Sequence, residues 1–245
     1  MVKFDMGAAW DDTLQLLKSH TALVGTIAGV FLFLPALAVA WFGPVPIEPA
    51  AGADFNQVME SFRESFRQMI PGQLAIALSA LIGTAGILRL WLSRTGTSVG
   101  EALTFALMLF PTMLAIQILC GIAIGLGFIL LLVPGLYLLG RLALVTPAVA
   151  DRSLYNPFEA IRTSWELTRG NGWAIFFFLF LVALVIVIAA LIIGGIVSVI
   201  AGSGPGLGRM LGGFIEAVFS AVGSLASIAV SAAAYRQLAS SDVFK

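Results

Sequence analysis

The chain is short of almost everything a soluble enzyme uses. Charged residues fill 11% of its 245 positions, less than half the roughly 25% of an ordinary soluble domain. Its one cysteine, Cys120, lies in an apolar run, which excludes an intrachain disulfide. Its one histidine, His20, excludes metal sites built on several histidines, and neither HExxH nor CxxC occurs. No glycine-rich phosphate loop is followed by a lysine, so the cluster Gly202–Gly208 reads as a flexible turn. Thirteen basic and thirteen acidic residues cancel, which removes any nucleic-acid footprint. The expectation is a protein with no catalytic residues, no cofactor and no metal.

What the chain does have is apolar length. Hydrophobic residues make up 60% of it and the mean hydropathy is +1.03, the signature of an all-α polytopic membrane protein. Six runs are long or apolar enough to be transmembrane helices, at about 21–42, 71–91, 112–133, 136–150, 173–199 and 210–235 of one membrane domain. The fourth is short unless it runs on into Asp151. The first ends in Ala38-Val39-Ala40, which resembles a signal-peptidase site. The segment before it is long and carries Asp5, Asp11 and Asp12 against Lys3 and Lys18, so the run reads as an anchor.

Short amphipathic helices flank the spans. Residues 6–19 place Trp10, Leu14 and Leu17 on one face of an interfacial helix. Residues 54–70 set Phe55, Val58, Met59, Phe62, Phe66 and Met69 against Glu60, Arg63, Glu64 and Arg67, ahead of a second span that starts at Pro71. Residues 95–100 form a turn; Ser98 with Glu101 makes a capping box for a short helix that Pro111 kinks or ends. Pro134-Gly135 separates the third and fourth spans, and residues 201–208 link the fifth and sixth. The clearest amphipathic helix is 156–169. Asn156 caps it, Pro157 suits its first position, Glu159 can close a capping box, and Gly170 ends it. Phe158, Ile161 and Trp165 share one face, towards the bilayer or the bundle. Glu159, Arg162, Glu166 and Arg169 share the other, with Arg162 able to pair with Glu159 and with Glu166.

Six spans put both termini on one side. Nine basic residues fall on that side (Lys3, Lys18, Arg89, Arg94, Arg152, Arg162, Arg169, Arg236 and Lys245) and three on the other (Arg63, Arg67 and Arg209). Positive charge is retained in the cytoplasm, so both termini are expected there. An acid near the start of a short helix recurs at Asp11-Asp12, Glu101 and Glu159, each before an odd-numbered span. That fits three repeats of an interfacial helix plus a hairpin, and equally fits capping acids placed independently.

Three features could carry function. Gly213, Ala217, Ser220, Ser224, Ser227 and Ser231 recur every three or four residues, so one face of the sixth span is small. It serves either tight packing with hydroxyls bonded to backbone or a polar-lined path for a solute or lipid headgroup. Gly121–Gly125 and Gly208–Gly212 have GxxxG spacing, suited to packing within the bundle or, as the alternative, to dimerisation. Arg141 lies seven residues after Pro134 and Glu216 seven after Arg209, which predicts equal depth and an intramembrane ion pair between spans four and six; the alternative is that Arg141 snorkels to headgroups and Glu216 is protonated or bonded to Ser220.

The stretch PGLYLLGRLALVTPAVAD followed by NPFEAIRTSWELTRGNGW resembles the bacterial multi-pass proteins grouped with the membrane domain of glycerophosphoryl diester phosphodiesterases and with YciC-type inner-membrane proteins. Pro134, Gly135, Arg141, Pro147, Glu159, Ala160, Ser164, Trp165, Gly170 and Trp173 carry the resemblance. It implies a multi-pass protein of the bacterial inner (plasma) membrane. The soluble catalytic barrel that the hydrolase name refers to has no counterpart here, so that activity is not implied. The expected role is non-enzymatic: envelope organisation, or a membrane module supporting a partner protein, with membrane lipids as its surroundings. The alternative is a small transporter or lipid-handling protein, and an intramembrane enzyme stands third. A polar cavity reaching from one face into the membrane separates transport from a closed structural bundle.

Overall fold

A computed structural model of the protein describes residues 3–93, 97–201 and 206–240. Residues 95–96 of the expected 95–100 turn and 202–205 of the 201–208 link lie outside these residues, as do Arg94 and Lys245 of the charge count. Among the described residues the protein is all-α, with six helical segments long and apolar enough to cross a membrane.

The chain begins with α1 (Met6–Lys18), capped by Asp5, whose Oδ1 accepts from the N–H groups of Gly7 and Ala8. His20 then takes a left-handed turn (φ +50°) into the first span, α2 (Thr21–Ala28) and α3 (Leu34–Phe42). These are joined by a π-helical turn, Gly29–Phe33. Its cause is local: Pro35 has no N–H to give the Phe31 carbonyl four residues back. Ser79 Oγ donates to that carbonyl instead, at 3.0 Å, from the neighbouring span. Gly83 makes the approach possible, since a Cβ there would sit 2.8 Å from Phe31 Cβ.

The second span is not preceded by a separate amphipathic helix. Residues 54–70 and the span form one helix, α4 (Phe55–Leu92), opened by an Asp54–Gln57 capping box and continuous through Pro71. Its 38 residues measure about 57 Å at 1.5 Å each, against a hydrocarbon core of about 30 Å. The third span likewise absorbs its short helix. Ser98 and Glu101 form the expected box, and α5 (Val99–Leu130) runs unbroken through Pro111. Proline lacks an N–H but is tolerated in membrane helices, where neighbours satisfy the freed carbonyl.

The turn after α5 falls at Leu131, not at Pro134-Gly135. Pro134 sits instead in the first turn of α6 (Leu132–Leu142), where a missing N–H costs nothing. The fourth span is therefore longer than 136–150. It comprises α6 and α7 (Val145–Arg152), with a bend at Ala143–Leu144. Next come α8 (Pro157–Leu167), α9 (Gly172–Ala201) and α10 (Leu207–Ser240). The order helix–hairpin appears three times, at α1 with α2–α4, at the start of α5 with α5–α7, and at α8 with α9–α10. The middle short helix is fused to its span.

Both termini meet at one end of the bundle. Arg236 of α10 pairs with Asp12 of α1 at 3.1 Å, and Gln237 Nε2 donates to the Asp5 carbonyl while its Oε1 accepts from Asp5 N. Asn171 Oδ1, just before α9, accepts from Phe4 N at 3.0 Å. Burial raises the pKa of the Asp12 carboxyl above its ordinary value, and Arg236 offsets only part of that.

Candidate functional site

Two sites were expected from sequence, and the fold rearranges both. Arg141 and Glu216 do not pair. Gly140 packs so closely on α9 that a Cβ there would lie 2.1 Å from the Gly172 carbonyl oxygen, which sets Arg141 beside the first turn of α9. At 1.5 Å per residue α9 is about 45 Å long, while Glu216 stands roughly 14 Å along α10 from the far end of that hairpin. The two side chains are thus roughly 30 Å apart along the bundle. Equal counting from Pro134 and Arg209 failed because span four packs its sixth to ninth residues against the start of α9.

Arg141 is instead a buried cation in an aromatic box. The residue is 3% exposed, with its guanidinium carbon 4.2 Å from the Trp165 ring centroid and 5.9 Å from that of Tyr137. Tyr137 in turn packs edge-on to Trp165 and against Trp173. The backbone is fixed as firmly: Ser164 Oγ and Thr168 Oγ1 donate to the Arg141 carbonyl at 2.8 and 3.3 Å. Nε and Nη1 are buried with no hydrogen-bond acceptor. Attraction to the ring faces is what compensates them, worth up to about 2 kcal/mol when desolvated.

That arrangement explains the orientation of α8. Its buried stripe is Ala160, Ser164, Leu167 and, just beyond it, Thr168. Phe158 stands outward at 69% exposure, Ile161 is half-buried against the α5–α7 core, and Trp165 is 42% exposed while covering Arg141. The three residues expected to share one contact face therefore have three different surroundings. Small and hydroxylated residues face the bundle because α6 lies too close for large ones. Asn156 caps through Phe158 N at 3.0 Å, and the Glu159 box is not formed. Of the two ion pairs expected on this helix, Arg162–Glu166 is present at 2.9 Å and Arg162–Glu159 is not. Gly170 does end the segment, at φ +80°.

The small face of α10 splits by position. Gly213 and Ala217 are buried; a Cβ on Gly213 would meet Ala40 Cβ at 3.1 Å and Trp41 Cδ1 at 3.0 Å, so here the face serves close packing on α3. Trp41 Nε1 donates to the Met210 carbonyl, and Arg209 to the carbonyls of Ala40 and Gly43, fastening the same junction. Ser231 Oγ donates to the Ile228 carbonyl, as tight helix packing predicts. Ser220, Ser224 and Ser227 do something else. They line an open groove of about 930 Å³ whose other walls are Ala80 and Thr84 of α4 and the Ala183–Gly194 stretch of α9.

Glu216 lies at the mouth of this groove and also lines a second cavity of about 610 Å³ beside Arg209, Gln73 and Pro44–Pro46. The two cavities share Gly212, Glu216 and Ser220. They thus adjoin along α10, with the Glu216 carboxylate lining both. Gly212 is not a close-approach glycine: a Cβ there, or on Gly121 or Gly125, meets nothing within 4 Å. The GxxxG expectation thus fails at these positions, and close contacts between helices fall instead at Gly72, Gly83, Gly127, Gly135, Gly140, Gly172 and Gly213. Sequence spacing could not separate them, because glycine at helical intervals marks both tight contacts and open walls.

Comparison with protein-family models, with curated proteins and with solved structures finds no match for the chain.

Proposed function

We propose that the protein is a non-enzymatic, lipid-handling membrane protein whose α4–α9–α10 groove accommodates a single amphiphile. The observation that carries this reading is the shared position of Glu216, Ser220 and Gly212 in two adjoining cavities. The groove joins polar groups at its mouth to walls of isoleucine, valine and leucine, and is open rather than enclosed. An amphiphile matches both parts; a small polar solute leaves the apolar walls exposed. Pro134–Trp173, with its resemblance to the phosphodiesterase membrane domain, supports a bacterial inner-membrane setting. Seven basic residues (Lys3, Lys18, Arg89, Arg152, Arg162, Arg169 and Arg236) belong to the terminus-bearing end among the described residues, against Arg63, Arg67 and Arg209. This bias supports cytoplasmic termini.

Native mass spectrometry of the protein released from nanodiscs tests the groove. The expected result is retained lipid that falls in Gly212→Leu, which fills the groove at a position with free space around it. Equal lipid retention in the variant overturns the reading. Orientation is tested separately in a Cys120→Ala background: Val45→Cys is expected to label from outside intact cells and Ser153→Cys to stay unlabelled. The reverse pattern overturns the orientation.

A second reading, a module that supports a partner protein, is favoured by α4. Phe55, Phe62 and Phe66 are exposed on one face of its first four turns, with the last two rings stacked at 6.5 Å. Co-purification of a membrane-protein partner that is lost on Phe62→Ser/Phe66→Ser substitution is its test.

A further inference from the structure

We propose that the groove selects a lipid whose headgroup carries an ammonium group, held by the Glu216 carboxylate; this rests on the groove being a lipid site. Among the described residues, ion pairs join Arg63 to Glu60, Arg162 to Glu166 and Arg236 to Asp12, and none reaches Glu216. The nearest basic residue on its own helix, Arg209, is committed to the carbonyls of Ala40 and Gly43. Arg141 is at the other end of the bundle. A carboxylate among apolar helices is costly unless a proton or a cation neutralises it. Glu216 is exposed and opens onto the groove rather than onto a protein partner, so a cation carried by a ligand can reach it. The hydroxyls of Ser220, Ser224 and Ser227 continue inward from the carboxylate at one-turn spacing and can donate to ester carbonyls. Ile186, Val187 and Leu191 form the wall beside which acyl chains lie. An anionic headgroup would meet Glu216 with like charge, and a neutral one would leave it unpaired.

The experiment places the full chain in nanodiscs of equal phosphatidylethanolamine and phosphatidylglycerol and identifies the lipid that stays bound. Phosphatidylethanolamine is expected to be enriched about threefold, as a partly exposed charge pair gives. Glu216→Gln should lose the enrichment and keep the lipid, and Gly212→Leu should lose the lipid. No preference, a preference for phosphatidylglycerol, or a preference that survives Glu216→Gln overturns the headgroup assignment. Lipid retained unchanged by Gly212→Leu overturns the groove itself, so the two failures are distinct.

A second inference comes from the α5–α6 turn. Ile129, Leu130, Leu131, Leu132 and Val133 are five consecutive apolar residues exposed at 59–81%. No charged residue occurs between Glu101 and Arg141. The loop that follows the first span carries Glu48 and Asp54, and the one that precedes α10 is followed by Arg209. Water is the wrong solvent for such a tip. Helix α6 is also short: its 11 residues rise about 16 Å, half of a 30 Å core, before the bend at Ala143.

We infer that this turn stops inside the hydrocarbon, so that α5 and α6 form a hairpin whose tip does not emerge. A tip in lipid must leave few backbone donors open. Here Leu131 N donates to the Gly127 carbonyl at 3.0 Å, Gly135 N to that of Leu131 at 3.5 Å, and Pro134 has no N–H, which leaves the N–H groups of Leu132 and Val133 as the open donors of the tip. Spin labels at Leu131 and, as a second site, Leu130 test it in a Cys120→Ala background. Both should be quenched by oxygen and shielded from a water-soluble nickel chelate, whereas a label at Val45 should show the opposite. Chelate access at the tip equal to that at Val45 overturns the inference.

Discussion

The two ends of the bundle are held together by different means. At the end with the termini, side chains from distant parts of the sequence bond one another: Asp12 with Arg236, Asn171 with Phe4, and Tyr235 OH donating to Asp151 Oδ2 at 2.7 Å. Beneath them Leu144, Ala148, Val230 and Ala234 are fully buried. At the opposite end, α3 is fastened to α10 by Trp41 and Arg209, while the second half of α9 from Leu184 to Ile200 is largely exposed and apolar. The difference follows from the solvent. Apolar helices gain little by leaving lipid for one another, so association needs small residues, polar bonds and shape. Those are concentrated at the terminus-bearing end. Where they are missing, the helices part and lipid-facing walls such as the Glu216 groove remain.

The sharpest way to break this comparison is with paired glycine substitutions. Gly140→Val, against the Gly172 backbone, should destabilise the protein by about 3 kcal/mol or prevent folding, the scale of severe overpacking. Gly212→Ala, in free space at the other end, should be neutral or stabilise by about 0.5 kcal/mol through lower unfolded-state entropy. Detergent-resistant fluorescence-melting curves report both. Similar losses at the two sites would mean the far end is packed as tightly as the near one.

A smaller effect is expected at the aromatic box. Trp165→Leu should cost about 1–2 kcal/mol, and a double-mutant cycle with Arg141→Met should give a coupling of about 1 kcal/mol, because the guanidinium lies on the indole. The same cycle between Arg141 and Glu216 should give no coupling. A measurable Arg141–Glu216 coupling, or none with Trp165, would contradict the separation of the two ends.

The smallest effect concerns Asp12. Its folded-state pKa is raised, so the folded protein favours the proton more than the unfolded chain does. The resulting cost is absent below the ordinary carboxylate pKa, grows as pH rises through the folded value, and is complete at neutral pH. Asp12→Asn should therefore leave Tm at pH 7 unchanged or slightly higher, with any gain vanishing towards pH 4. A clear loss of Tm at pH 7 would show that the Arg236 pair outweighs burial.

Six apolar segments, their approximate limits, the caps at Asn156 and Ser98 and the end at Gly170 follow from local physics, and composition alone dictated a helical membrane protein. Hydropathy and capping act over a turn or two of chain, and the residues concerned are adjacent in sequence. The fusion of residues 54–70 with the second span was not legible, because Pro71 breaks a helix in water and is tolerated beside other helices. Nor was the place of Arg141: whether an arginine after a Pro-Gly pair meets Glu216 or Trp165 depends on the approach of Gly140 to Gly172, 32 positions away. The small face of α10 had one composition throughout, yet Gly213 packs and Ser224 lines a groove. Only the neighbouring helices decide which, since a small side chain permits close contact and cannot compel it.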